Sequence, residues 1–148
     1  MLSTTDTMQM TTYLSFTGDC EAAFKFYEEI LGAQLGALFR YAGSPMESQA
    51  PTGWSDKIMH GSLTLGGQAL MGADIARDQY EQPKGFSLSL QIQNTTEAER
   101  IFKALANDGK VVMPLEKTFW AERFGMVVDR FNIPWMINCE GSEQPSEV

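Results

Sequence analysis

The chain is poor in the residues that most often announce a function. Its 148 residues include one histidine, His60, and two cysteines, Cys20 and Cys139. Two cysteines cannot build a disulfide framework or a cysteine-rich zinc site. Each is expected to be a small buried hydrophobe in a reduced cytosol. Positive charge is scarce too: 11 Lys and Arg stand against 19 Asp and Glu, for a net charge of −8. Such a chain has no electrostatic pull on phosphate backbones or anionic lipid, so nucleic acid and membrane are not expected partners. No apolar run approaches the roughly 20 residues of a membrane span. The opening MLSTTDTMQM lacks the basic start and apolar core of a secretion signal, which leaves the cytoplasm as the expected compartment. What remains, 43% hydrophobic and 20% charged, suits one soluble domain of roughly 100–200 residues.

The most informative feature present is an internal repeat. Residues 19–32 (DCEAAFKFYEEILG) place Ala23, Phe26, Tyr27, Ile30 and Leu31 on one stripe, which predicts an amphipathic helix. Asp19 is the expected N-cap and Gly32 the expected stop. Residues 94–109 (NTTEAERIFKALANDG) repeat this design with Ala98, Ile101, Phe102, Leu105 and Ala106. Asn94 and Glu97 resemble a capping box, and Gly109 ends the pattern. Each stripe residue of the second copy lies 75 positions beyond its counterpart, and so does the N-cap (94 − 19).

The flanks match as well. TTYLSF precedes the first helix and FSLSLQIQ the second, both alternating and rich in strand formers. After the first helix come ALFRY, KIMHGSLTLG and QALMGAD, the last two joined at Gly66-Gly67 as in a tight hairpin. After the second come KVVMPLEKTFW, ERFGMVVDRF and IPWMINCE, with a turn near Asn132. Each half therefore reads strand–helix–strand–strand–strand, the first over about residues 9–75 and the second over about 84–140. The fold class is α+β. Residues 42–56 (AGSPMESQAPTGWSD) read as a long loop, either a functional lid or disordered. Residues 141–148 read as a frayed acidic tail.

A strand–helix–strand–strand–strand unit used twice resembles the vicinal oxygen chelate superfamily, which includes the glyoxalases. The stretches YLSFTGDCEAAFKFYEEILGA, DKIMHGSLTLGGQALMGAD and TFWAERFGMVVDRFNIPWMIN more closely resemble its PhnB-like branch, the 3-demethylubiquinone methyltransferase-like domain. The resemblance implies mixed sheets curled around a cup, and a homodimer. It implies no agreed reaction, and no Gly-rich nucleotide loop precedes either helix to support a methyltransferase.

The resemblance also implies one divalent metal in the cup, with ligands from the first and last strand of each module. Placed on this chain, the first-strand positions fall at Thr12 and Ser87 and the last-strand positions at Met71 and Met136. Hydroxyls are weak ligands and thioethers soft ones, so these four residues make a poor divalent-metal site. No metal and no cofactor are expected; the four positions become candidates for contact with an organic ligand.

Four further residues join them. His60 lies in KIMHGSLTLG, on the expected face of Ile58, Ser62 and Thr64; it is either a structural residue or a polar hook in the cup. Phe119 and Trp120 are aromatics near the implied cup rim. Glu122 is a candidate carboxylate, as is Asp129, although an odd separation would put these two on opposite faces of a regular strand. Arg40 and Arg123 would select an anionic ligand if buried in the cup. Cys20, beside a helix cap, is a candidate for a lowered thiol pKa without an evident base. Of the 9 methionines, most are expected in the core and the rest in an adaptable pocket. The expected function is metal-free binding of a small organic ligand. The alternative is a metal-dependent lyase, isomerase or dioxygenase rebuilt around His60 or Glu122. A third reading fills the cup with side chains and leaves a second copy as sole partner.

Overall fold

The two helices form where the stripes predict them, and each organises one sheet. A computed structural model describes residues 7–140, so the expected tail at 141–148 and the first six residues lie outside the described residues. The element order is β1 (Thr12–Phe16), α1 (Cys20–Leu31), β2 (Gln34–Arg40), β3 (Ile58–Leu65), β4 (Gln68–Asp74), β5 (Leu88–Ile92), α2 (Thr95–Ala106), β6 (Lys110–Glu116), β7 (Arg123–Val128) and β8 (Pro134–Cys139). The chain divides into two compact units between Tyr80 and Glu81. Each is the strand–helix–strand–strand–strand element string read from the sequence, and the fold is α+β.

In the first unit the strand order is β1-β4-β3-β2, with β1 parallel to β4 and the other pairs antiparallel. The second unit repeats this as β5-β8-β7-β6. The β3–β4 hairpin turns at Gly66 and Gly67, which both have positive φ (56° and 83°), as a two-residue turn of this kind requires.

Strand alternation separates two faces in each sheet. On β1, Leu14 and Phe16 are buried against α1, where Phe16 meets Phe24 edge-on. On β8, Trp135, Ile137 and Cys139 are buried, and on β7 Gly125 approaches Phe102 of α2. α2 buries the predicted Ala98, Ile101, Phe102 and Leu105. α1 departs slightly from expectation: Phe24 and Cys20 are buried beside Ala23, Tyr27 and Ile30, while Phe26 and Leu31 are only half-buried. The expectation that most methionines are core is overturned, since no described methionine is buried. They are displaced because β-branched and aromatic residues already fill the helix-facing sides.

The helix caps also differ from the sequence pattern. Asn94 accepts from the Glu97 amide (2.9 Å), as expected, but Glu97 pairs with Arg100 instead of closing the capping box. Asp19 makes no side-chain cap bond. Its role passes to Asp74 at the end of β4, whose Oδ1 accepts from the Gly18 and Cys20 amides (2.8 and 2.9 Å). Gly32 is the left-handed C-cap of α1 (φ 71°) as read. Gly109, in contrast, is not the cap of α2; Asn107 is. Gly109 is needed because a Cβ there would collide with the Val128 carbonyl.

The 42–56 segment is built rather than loose. Tyr41 and Ala42 amides donate to Lys57 and Ser55 carbonyls (3.0 and 2.7 Å), which extends the β2–β3 ladder. A short 3-10 turn spans Glu47–Gln49. Tyr41 packs its ring beside Trp54 and donates its hydroxyl to the Asp74 carbonyl at 2.7 Å.

Candidate functional site

Each sheet keeps one face turned away from its helix, and the candidate residues sort by which face they occupy. In the first unit the β1–β4 register pairs Thr12 with Leu70 and Tyr13 with Met71. Alternation therefore puts Thr12 on the Leu14 side, and Tyr13 is the first-strand residue that shares a face with Met71. In the second unit Met136 pairs with Ser89, and Ser87 lies one residue before β5. The first-strand register partners of Met71 and Met136 are thus Tyr13 and Ser89, one position beyond Thr12 and two beyond Ser87.

His60 stands on the Tyr13 face, but not with Ile58. Phe39 pairs with His60 and Arg40 with Ile58, which leaves Met59 as an extra residue in β3. This bulge rotates Ile58 to the helix side, where it approaches the Cβ direction of Gly61 together with Phe24. Tyr13 Oη lies 3.0 Å from His60 Nδ1. In the tautomer that carries its proton on Nε2, the phenol donates to Nδ1. Burial pushes the Tyr13 pKa up, with smaller effects from Cys20 and Tyr41, so the phenol keeps its proton at neutral pH. Phe39 flanks the other side of His60.

The second unit carries a different set on its outward face. Asn138 Nδ2 donates to Gln91 Oε1 at 2.8 Å, and Gln91 Nε2 donates to Ser89 Oγ at 3.0 Å. Asn138 Oδ1 ends this series of bonds buried and, among the described residues, without a partner, which costs about 1–3 kcal/mol. Met126 pairs with Met136 across β7 and β8. Trp120 stands edge-on to Phe124 (5.4 Å) and to Phe119 (4.8 Å). Phe119 is 97% exposed and Trp120 49%.

The charged candidates are engaged elsewhere. Arg40 forms a two-pronged bond with Glu21 of α1 (2.9 and 3.0 Å), on the helix side of the sheet. Arg123 likewise turns to Glu99 of α2 at 3.2 Å. Glu122 lies 3.8 Å from Lys117. Asp129 accepts from the Phe131 and Ile133 amides and from Trp135 Nε1 (2.8, 3.0 and 2.9 Å), and so holds the β7–β8 turn. Cys20 has a raised, not lowered, thiol pKa: burial dominates, and the Asp74 and Glu21 carboxylates add to it. The helix terminus that would have activated the thiol is already occupied by Asp74.

These donors do not fit the divalent metal that the fold family implies. The register partners are a phenol with a thioether, Tyr13 and Met71, and a hydroxyl with a thioether, Ser89 and Met136. Among the described residues no group of three or more His, Cys, Asp or Glu is gathered as a metal would need.

Sequence reasoning missed Tyr13, Phe39, Gln91 and Asn138. Tyr13 had a signal: in TYLSF an aromatic alternates out of phase with Leu14 and Phe16, and so sits on the face opposite the core. Phe39 had none, because the bulge at Met59 hides its partner.

Over residues 8–138 the chain matches the family described as 3-demethylubiquinone-9 3-methyltransferase. It is 34% identical to Protein YjdN of Escherichia coli (strain K12), across 95% of this chain and 100% of that one. Among solved structures it is similar to protein PA1353 from Pseudomonas aeruginosa, with 46% identity and a TM-score of 0.83 over 92% of this chain and 100% of that one. The PhnB protein from Bacillus cereus shares 25% identity at a TM-score of 0.78, over 89% and 99%. A glyoxalase/bleomycin resistance protein/dioxygenase family enzyme from Burkholderia phytofirmans PsJN shares the fold alone, at 16% identity and a TM-score of 0.59 over 87% and 97%.

Proposed function

The chain belongs to the 3-demethylubiquinone-9 3-methyltransferase-like (PhnB) family of the vicinal oxygen chelate superfamily, and on that premise we propose that it binds a small organic ligand without the superfamily's metal. The observation that carries this reading is the chemistry of the outward sheet faces. The family resemblance implies metal ligands at Thr12, Met71, Ser87 and Met136, and the register sets Tyr13 beside Met71 and Ser89 beside Met136. Thioethers and rings make adaptable apolar contacts, and a few hydroxyls and amides orient a ligand. Thr12 and Ser87 border these pairs. His60 supplies a polar hook; Phe119, Trp120 and Glu122 flank the second unit's set.

The protein acts as a homodimer in the cytoplasm. β6 supports the dimer: it is an edge strand whose Val111, Val112 and Met113 are exposed, and exposed apolar edges invite pairing. The two free, buried cysteines agree with a reducing compartment. Among the described residues no helix is long and apolar enough to cross a membrane.

Native mass spectrometry of the purified protein, followed by additions of Zn²⁺, Ni²⁺ and Mn²⁺, tests the reading. A dimer with an organic passenger and no stoichiometric metal is the expected spectrum. One tightly held divalent ion per chain would reinstate metal-dependent chemistry and overturn it.

A further inference from the structure

Three rings cluster on the outward face of the first sheet, with Phe39 stacked against His60 and Tyr13 tilted beside it. Tyr13 comes from β1, His60 from β3 and Phe39 from β2. The His60 centroid is 5.7 Å from that of Tyr13 and 6.4 Å from that of Phe39, with ring planes inclined by only 31° and 28°. The Tyr13–His60 hydrogen bond runs from one ring edge to the other, so these two rings meet edge to edge at a 31° tilt instead of stacking on each other.

Small neighbours make this possible. Tyr13 must reach across β4 to meet His60. Continuing the β3–β4 register by one residue beyond Gly61 and Gly72 puts Ala73 opposite His60. A methyl group there leaves the path clear, where a longer side chain would stand between the rings. The platform is also accessible, since Tyr13 is 51% exposed and Phe39 55%.

Charge narrows the occupant. Apart from Tyr13 and His60, this face of β1, β4 and β3 carries Ser15, Ser62, Thr64, Ala69, Met71 and Ala73 and no acid or fixed cation. Arg40, the nearest candidate for an anion, is held by Glu21 on the other side. In a chain of net charge −8, an anionic ligand would meet repulsion with nothing local to offset it. Among the described residues His60 Nε2 has no hydrogen-bond partner. An occupant made only of hydrocarbon, including the apolar face of another protein, would bury that nitrogen unsatisfied.

We propose that the Tyr13–His60–Phe39 platform seats a planar, uncharged heteroaromatic molecule, which stacks on the rings and offers a ring nitrogen or carbonyl to the His60 edge. This rests on the ligand-binding reading above and names the class of ligand. Flat rings stack favourably on aromatic side chains without regard to sequence or charge. A heteroatom at the rim distinguishes the ligand from a plain hydrocarbon.

Isoquinolone, a flat fused lactam without charge, is the probe. Because the chain has one histidine, its ring protons are unambiguous reporters in an NMR titration. Isoquinolone is expected to move them upfield in a saturable way, and Phe39→Ala to weaken binding about tenfold. Phe86→Ala, which removes an exposed ring elsewhere, leaves the affinity as it was. Decahydroisoquinolone, with the same polar atoms but no planarity, and isoquinoline carboxylate, with a charge, are both expected to bind at least tenfold more weakly.

Equal binding of the saturated lactam would overturn the proposal, as would unmoved His60 protons at the solubility limit of isoquinolone. His60 shifts that follow protein concentration without any probe would assign the platform to a second copy and overturn it too. A non-planar passenger in the mass spectrum, with His60 silent to isoquinolone, would sink this inference and leave the ligand-binding reading standing. Silence in both experiments would remove both.

Discussion

Asp74 and Cys139 occupy the same station in the two units. Each is the last residue of its strand and pairs with the last residue of the leading strand, Phe16 in one case and Ile92 in the other. At this station the first unit places a carboxylate that takes the Gly18 and Cys20 amides with one oxygen and the Ile58 amide with the other, at 2.8, 2.9 and 2.9 Å. The second unit places a thiol that reaches only the Gln93 carbonyl, at 3.5 Å. The difference follows from the caps. Asn94 supplies its helix locally, whereas Asp19 does not, so only the first unit needs an acceptor delivered by a distant strand.

Replacing Asp74 by alanine strands three amides at once. Each unpaired buried donor costs about 1–3 kcal/mol, so Asp74→Ala is expected to lose at least about 3 kcal/mol of stability. Cys139→Ala should cost only about 1 kcal/mol, as a small core truncation. Urea unfolding midpoints compared at constant slope check this; equal losses would contradict the unequal roles of the two residues.

The raised pKa of Cys20 makes the thiol a poor nucleophile in the folded chain. Burial is the main cause, and the Asp74 and Glu21 carboxylates reinforce it. At pH 8, Cys20 is expected to resist iodoacetamide in buffer and to react readily in urea. Mass mapping of the modified peptide reports the outcome, and rapid labelling of the native protein at Cys20 would contradict this account.

Glu21 makes part of the acid limb of stability predictable. Hydrogen bonds from Arg40, then from Lys25, hold its carboxyl down at about 2 against an ordinary value of 4.5. A depressed folded pKa means that this contribution is complete above about 4.5 and is lost as pH falls from there toward 2. The pair is partly exposed, so its contribution is small. Thermal melts between pH 5 and pH 2 should fall less steeply for Glu21→Gln than for the parent chain. Salt should blunt the difference.

Two glycines that both follow helices are needed for opposite reasons. Gly32 has positive φ and open space around its Cβ direction, so Gly32→Ala should cost about 1 kcal/mol of backbone strain. Gly109 lacks positive φ, but a Cβ there would press on the Val128 and Leu105 carbonyls. Backbone cannot move aside as a side chain does, so Gly109→Ala should cost more, about 2–3 kcal/mol. Gly32→Asn, which tolerates left-handed φ, should recover part of its loss, whereas Gly109→Asn should recover none.

The parts legible in the sequence were those specified by neighbours in the sequence. The stripe and cap of α2, the Gly66-Gly67 turn and the two-copy order of elements all follow from local spacing. The same repeat misled at Asp19, because a matching cap position 75 residues from Asn94 says nothing about which acceptor the amides use. His60 was assigned to the face of Ile58 by counting in twos, and the bulge at Met59 breaks that count. Thr12, the first-strand position that the family resemblance implies, does not share a face with Met71, since register is fixed by the pairing of Tyr13 with Met71 across 58 residues of chain (71 − 13). The sites sit where long-range pairing, not local pattern, decides which way a side chain points.

The unequal caps also set an order in time. The acceptor for α2 is three residues from the amide it serves, so this helix turn can close as soon as Asn94 through Glu97 meet. The acceptor for α1 is 54 residues from the Cys20 amide, and closing so long a loop carries an entropic cost that a local turn avoids. The first turn of α1 is therefore completed only when β4 has docked beside β1. In pulse-labelled hydrogen exchange, protection of the Glu97 amide should precede that of Cys20, with the amino-terminal unit waiting on its own last strand.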